Sequence, residues 1–248
     1  MNRLAYILSL GLLFACNSED AGDCFQTTGN IIQQEVVVTA FEKILVNRDI
    51  ELIVIDDLEF KVVIETGENL LNDVEATVVD NQLQLTDNNS CNYVREYNIT
   101  KIYVTAPNIT EIRSSTQYDI SSDGILNYNN LSLLSEDFGV LESFTNGDFR
   151  MEVNTSKLNI VANGLASFYV SGFAENTTIG FFAGSGRFEG ENLIAQHVDI
   201  SHRGSNDMIV NPQQSLIGVL RGTGDLISKN MPPVVEVEQL YTGRLIFN

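Results

Sequence analysis

The sequence predicts an all-β protein, a β-solenoid of the right-handed parallel β-helix kind preceded by a β-rich N-terminal part. Three observations carry this prediction. From residue 35 onwards short runs alternate apolar and polar residues, the period of a strand with one buried face. Beyond Pro107, polar or glycine-bearing turns return about every 20 residues, the mark of stacked repeats. Composition agrees: 44% hydrophobic residues allow a core, there is no Trp, Pro occurs four times, and the 18 glycines concentrate in the second half.

The chain opens with Met1-Asn2-Arg3, an apolar stretch from Leu4 to Phe14, and Ala15-Cys16. A charged start, a hydrophobic middle and a small residue before the break make residues 1–15 a signal peptide. The stretch is shorter than the roughly 20 apolar residues that span a bilayer. Leu13-Phe14-Ala15-Cys16 has the pattern cut by lipoprotein signal peptidase, so Cys16 is the expected lipidation site, the alternative being an ordinary secretory signal. Acyl chains contribute about 0.8 kcal/mol per buried methylene, enough for several of them to hold the protein on a membrane. Asn17-Ser18-Glu19-Asp20 resembles a surface-export signal. The expectation is an outer membrane lipoprotein displayed at the cell surface, with a periplasm-facing position as the alternative.

Residues 16–34 are polar and small and are expected to form a tether. Cys24 and Cys91 are the cysteines left once Cys16 is lipidated, and in an exported protein a disulfide between them is expected. A metal site is the alternative, but neither has nearby His or further Cys partners. Zinc-ligand spacings are absent from the sequence, no cofactor is implied, and calcium stays open for an acidic chain.

The charge balance is 14 Lys and Arg against 33 Asp and Glu. Losing residues 1–15 removes only Arg3, leaving 13 against 33, a formal charge of −20. Such a field repels phosphate backbones and anionic headgroups, which argues against nucleic acid and bare lipid as partners.

The N-terminal β part is expected over residues 35–107. Val36 and Val38, then Ile44 to Val54, Val62 and Ile64, Val78, Leu83 and Leu85, and Ile102 to Val104 keep period 2. Leu70 to Val74 fits one helical turn, and Asp87 to Asn98 a polar loop holding Cys91. Repetitive coils are expected over residues 108–248. Their apolar members, Ile120, Val140, Phe168, Phe188, Met208 and Leu226, are 20, 28, 20, 20 and 18 residues apart. The long interval contains an extra turn-like unit, Asn146-Gly147-Asp148-Phe149. Stacked coils bring these positions into one inward ladder, with glycine at tight corners that call for positive φ.

Phe41 to Val46, Glu68 to Leu71, Asn81 to Leu85, Ile102 to Pro107 and the turns Ala183-Gly184-Ser185-Gly186 and Arg221-Gly222-Thr223-Gly224 together resemble the head GIN domain family, described as auto-transporter adhesins. The likeness covers nearly everything from about residue 35 to the end. It implies a β-helix-like solenoid after a β-rich N-terminal part, and supplies no catalytic residue. Ser114 to Gln117 and Ser135 to Asp137 depart from the family's glycine-rich turns.

No catalytic residue is assigned. His197, Asp199 and Ser201 alternate on one strand, about 7 Å apart and parallel, whereas a hydrolytic triad needs hydrogen-bond contact. The column of residues before the ladder, Asp119, Gly139, Ser167, Arg187, Asp207 and Asp225, is chemically mixed; Asp207 and Asp225 adjoin across coils, most simply as turn acids. Arg203 and Arg221, 18 apart, are expected to stack as neighbouring basic side chains, either as solvated turn arginines or as a surface for an acidic glycan. Arg203, Arg221, Asp207 and Asp225 are thus the candidate surface-binding residues. The expected function is binding without catalysis, to an unidentified protein or glycan. A structural envelope component is the alternative, a carbohydrate-active enzyme a further one.

Overall fold

The computed structural model describes residues 22–89, 91–137 and 143–248. Among them the fold is all-β: nineteen strands belong to one sheet that curls into a nearly closed, barrel-like form, with only two single-turn 3-10 segments, Asp23–Phe25 and Leu71–Asp73.

The N-terminal strands are β1 (Ile31–Val36), β2 (Lys43–Val46), β3 (Glu51–Asp56), β4 (Lys61–Gly67), β5 (Val74–Val79), β6 (Gln82–Asp87) and β7 (Lys101–Ala106). Pairs β1–β4, β4–β7 and β5–β6 are antiparallel, while β2–β6 and β3–β7 are parallel. Period-2 burial explains the register: Ile44, Val46, Leu52, Val54, Leu83, Leu85, Ile102 and Val104 all turn inward. The expected tether is shorter than residues 16–34. Cys24 is bonded to Cys91, Gln26 donates to the Asn69 carbonyl, and Ile31 to Val36 form β1 on the β4 edge. Such an edge strand buries little and leaves a weak apolar signal.

The following strands are β8 (Glu111–Ser114), β9 (Ile120–Leu126), β10 (Asn130–Ser135), β11 (Phe149–Ala162), β12 (Phe168–Phe181), β13 (Phe188–Glu189), β14 (Leu193–His202), β15 (Met208–Val210), β16 (Pro212–Leu220), β17 (Leu226–Ser228), β18 (Val234–Gln239) and β19 (Leu245–Phe247). Every pairing among them is parallel. One run passes β2, β8, β10, β11, β12, β14, β16 and β18; the other passes β3, β9, β11, β12, β13, β15, β17 and β19. β11 and β12 serve both because each is 14 residues long.

The inward ladder reads Ile120, Phe149, Phe168, Phe188, Met208 and Leu226, each paired with the next and all essentially buried. Val140, expected in it, lies outside the described residues. Phe149, from the extra turn-like unit, sits between Ile120 and Phe168 and stacks on Phe168 with 4.8 Å between ring centroids.

Most turn glycines are required for a different reason from the one expected. Gly184 has φ +84°, as a tight corner asks. Gly222 and Gly224 lack positive φ; a Cβ there would collide with the carbonyl oxygens of Gly204 and Asn206 on the neighbouring rung.

Candidate functional site

Parallel stacking turns each outward position into a column. Backbone N–H groups of Leu52, Ile120, Phe149, Phe168, Phe188, Met208 and Leu226 donate to the carbonyls of Asp119, Asp148, Ser167, Arg187, Asp207, Asp225 and Arg244. The column preceding the ladder therefore contains Asp148; Gly139 lies outside the described residues.

Two of the candidate binding residues, Asp207 and Asp225, are occupied within the fold. Asp207 Oδ1 accepts the backbone N–H of Asp225 at 3.0 Å, and Asp225 Oδ1 accepts that of Arg244 at 2.8 Å. Asp225 Oδ2 also pairs with the Arg244 guanidinium at 3.1 Å. The N–H and guanidinium of Arg244 hold the Asp225 carboxyl below the usual carboxylate range. Asp148 treats the N–H of Ser167 in the same way at 2.8 Å. These acids are rung-to-rung braces, a role invisible without the register.

Arg203 and Arg221 behave differently. His202 pairs with Leu220, so the two arginines follow on adjacent rungs, Arg203 donating its backbone N–H to Phe181 and Arg221 to His202. Both are exposed, and neither side chain makes an ion pair or hydrogen bond among the described residues. The other described arginines are all engaged. Arg150 pairs with Asp119 at 2.7 Å and lies 4.3 Å over the Tyr169 ring, Arg187 pairs with Glu189 and Arg113 with Glu136. Arg48 approaches Asp49, Arg244 holds Asp225, and Arg95 donates to the carbonyls of Asp23, Gln26 and Cys91. In the same column, exposed Phe182 precedes Arg203 and exposed Leu240 follows Arg221.

His197 and Asp199 point outward from β14 and are exposed. His197 Nδ1 stands 2.9 Å from Ser215 Oγ on β16, so its partner is a hydroxyl across the strands and not Ser201. His202, on the opposite parity, is fully buried. Its Nε2 is 2.9 Å from the Asn206 carbonyl, its Nδ1 has no partner among the described residues, and burial pushes its pKa down. The one signal of this in the sequence is alternation with Val198 and Ile200, which places it inward.

A cavity of about 250 Å³ lies beside the disulfide loop, lined by Asp87, Arg95, Tyr97, Asn98 and Tyr118 among others. Its polar groups are largely spent on the loop itself. Burial pushes the Asp87 pKa up, and its carboxylate accepts from Asn89 and Thr100; the Tyr118 hydroxyl accepts from the Asn98 N–H. A more open concavity of about 470 Å³ includes Arg150, Tyr169, Glu152, Glu189 and Glu191. No group of three or more His, Cys, Asp or Glu suited to a metal ion occurs among the described residues. No helix among them is long and apolar enough to cross a membrane.

A family model described as "putative auto-transporter adhesin, head GIN domain" matches residues 40–232. The chain belongs to the head GIN domain family. Three solved structures share the fold with this head GIN chain. A putative adhesin of Bacteroides fragilis aligns at a TM-score of 0.78 and 21% identity, over 90% of this chain and 99% of that one. A putative adhesin of Parabacteroides merdae aligns at 0.61 and 16%, over 90% and 98%. A protein of Parabacteroides distasonis described as a putative lipid binding protein aligns at 0.59 and 16%, over 90% and 98%. No curated protein matches the chain.

Proposed function

We propose that this head GIN protein is a lipid-anchored module of the cell envelope, displayed at the outer membrane, that adheres by binding an acidic glycan and performs no catalysis. Its scaffold is a right-handed β-solenoid. The two parallel runs joined through β11 and β12, with turns stacked rung on rung, support that reading. Cys16, in Leu13-Phe14-Ala15-Cys16, carries the lipid.

One observation carries the binding reading: Arg203 and Arg221 stand on adjacent rungs, exposed and without a carboxylate among the described residues, in a chain with 33 acids. Adjacent rungs are about 4.8 Å apart, and like charges facing each other across strands destabilise a sheet. Every other described arginine finds a partner, so leaving these two unmatched is a cost that an anionic ligand offsets. Guanidinium groups suit carboxylate or sulfate because their fork donates two parallel hydrogen bonds. The flanking Phe182 and Leu240 offer apolar surface to a sugar ring. The adhesin descriptions of the structural relatives agree with binding.

The test is an array of uronate-bearing, sulfated and neutral glycans probed with the purified protein. Acidic glycans are expected to bind, and Arg203→Ala with Arg221→Ala to weaken that binding about tenfold or more, since charge-assisted hydrogen bonds each contribute roughly 1.5–3 kcal/mol. Equal binding of neutral glycans, or an unaffected double variant, would sink the ligand assignment. Palmitate labelling that Cys16→Ser abolishes tests the anchor, and protease treatment of intact cells tests the outward orientation.

A further inference from the structure

We infer that the free edge formed by β18 and β19 takes up an added β-strand from a partner protein whose sequence alternates apolar and basic residues. This edge lies beyond the arginine pair and does not depend on it.

Among the described residues, β18 and β19 are the last strands of the two parallel runs. β18 pairs with β16, β19 pairs with β17, and neither has a neighbour on its other side among the described residues. At the opposite end of the sheet, antiparallel β1 and β5 close the runs. Leu240 donates its N–H to Leu220, so by alternation along the strand the N–H groups of Val235, Val237 and Gln239 face the open side.

Core positions are open as well. Val235, Val237 and Gln239 continue the positions of Leu216, Gly218 and Leu220, and Leu245 and Phe247 those of Leu226 and Ser228. Leu216, Leu220 and Leu226 are fully buried, whereas Val235 is 37% and Phe247 38% exposed, because no further layer among the described residues covers them. Met231 and Tyr241 add exposed apolar surface at the rim. An added strand would satisfy the free N–H groups and cover the last layer, as in strand-addition recognition.

Charge selects the occupant. Glu236 and Glu238 are exposed on the outward side of β18 and hold no ion pair among the described residues. A second copy adding its own β18 antiparallel would bring these carboxylates together. The acidic β18 edge thus guards against pairing with itself, the usual use of edge charges. A strand with lysine or arginine at the outward positions meets Glu236 and Glu238 with opposite charge.

The experiment uses the purified full chain and two synthetic eight-residue peptides, one alternating valine with lysine and one alternating valine with glutamate. Fluorescence anisotropy should show the lysine peptide binding about tenfold more tightly, as two cross-strand ion pairs imply. Hydrogen exchange should then slow at Val235, Val237 and Gln239. Val237→Pro, which deletes an outward N–H that edge strands can spare, should abolish binding. Glu236→Lys with Glu238→Lys should reverse the peptide preference, a readout that survives if the proline variant fails to fold. Equal affinity for both peptides, no binding at all, or sedimentation showing a dimer that Val237→Pro dissolves would overturn the inference.

Discussion

Asp207 hands its carboxylate to the backbone of the next rung, where the N–H of Asp225 donates to it at 3.0 Å, and Asp225 repeats the contact with Arg244. Side chains in this column therefore brace rungs that the ladder hydrogen bonds already join. Asp207→Ala and Asp225→Ala should each lower stability by about 1 kcal/mol in urea unfolding. Asn at either position keeps an acceptor and should cost less. The Asp225 pKa is depressed in the fold from its ordinary 3.8, so its contribution is complete above that value and is lost as pH falls through the lowered folded value. Asp225→Asn should therefore remove part of the acid sensitivity below about pH 4.

How much of this was legible beforehand depends on the residue. Phe168, Phe188, Met208 and Leu226 were placed in one ladder by spacing alone, since a period of about 20 fixes which residues lie over one another. Val140 and Phe149 each follow a turn-like unit, and alternation cannot choose between them; Phe149 pairs with both Ile120 and Phe168. β1 is not legible in the sequence because Ile31-Ile32-Gln33-Gln34 shows little alternation. Arg203 and Arg221 were legible as neighbours, but their lack of partners was not. That contrast required knowing which acids Arg150, Arg187 and Arg244 reach across or along the strands.

The stacked pair Phe149 and Phe168 opens β11 and β12, the two strands that serve both runs. Both rings are fully buried, and Phe168 also contacts Phe181 at 5.7 Å between centroids. Phe168→Ala should cost about 3–5 kcal/mol, the range for emptying a packed aromatic site. Phe168→Leu should cost markedly less, as it keeps most of the buried volume. Calorimetric midpoints of the two variants would check this, and equal losses would argue that shape, not volume, governs the site.

The disulfide joins Cys24 to Cys91 across a separation of 67 residues. Closing a loop of that size stabilises by roughly 4 kcal/mol in the chain-entropy model. Reduction should not release the segment at once, because Tyr93 N–H bonds the Cys24 carbonyl and Arg95 bonds the carbonyls of Asp23 and Gln26. Reduced protein should thus stay folded at ambient temperature with a lower melting midpoint, and Arg95→Ala should deepen the loss only when the cysteines are reduced. Mass spectrometry of unreduced protein should find neither thiol available for alkylation.

His202 makes stability depend on pH above the carboxylate range. Its ring is buried between Phe181 and Leu220 in the parallel register, with Nε2 facing the Asn206 carbonyl. In that arrangement Nε2 carries the hydrogen and Nδ1 holds a lone pair without a partner among the described residues, which suits a neutral ring and not a cation. Burial lowers the folded pKa below the ordinary 6.5, so the unfolded chain binds a proton that the folded chain refuses. Stability should fall as pH drops through about 6.5 and level off only below the lowered folded value. His202→Leu, matching Leu220 on the next rung, should flatten this part of the profile while losing the bond to Asn206. Urea midpoints at pH 7.5, 6.5 and 5.5 on both proteins decide the matter: parallel profiles would mean that another group senses the acid.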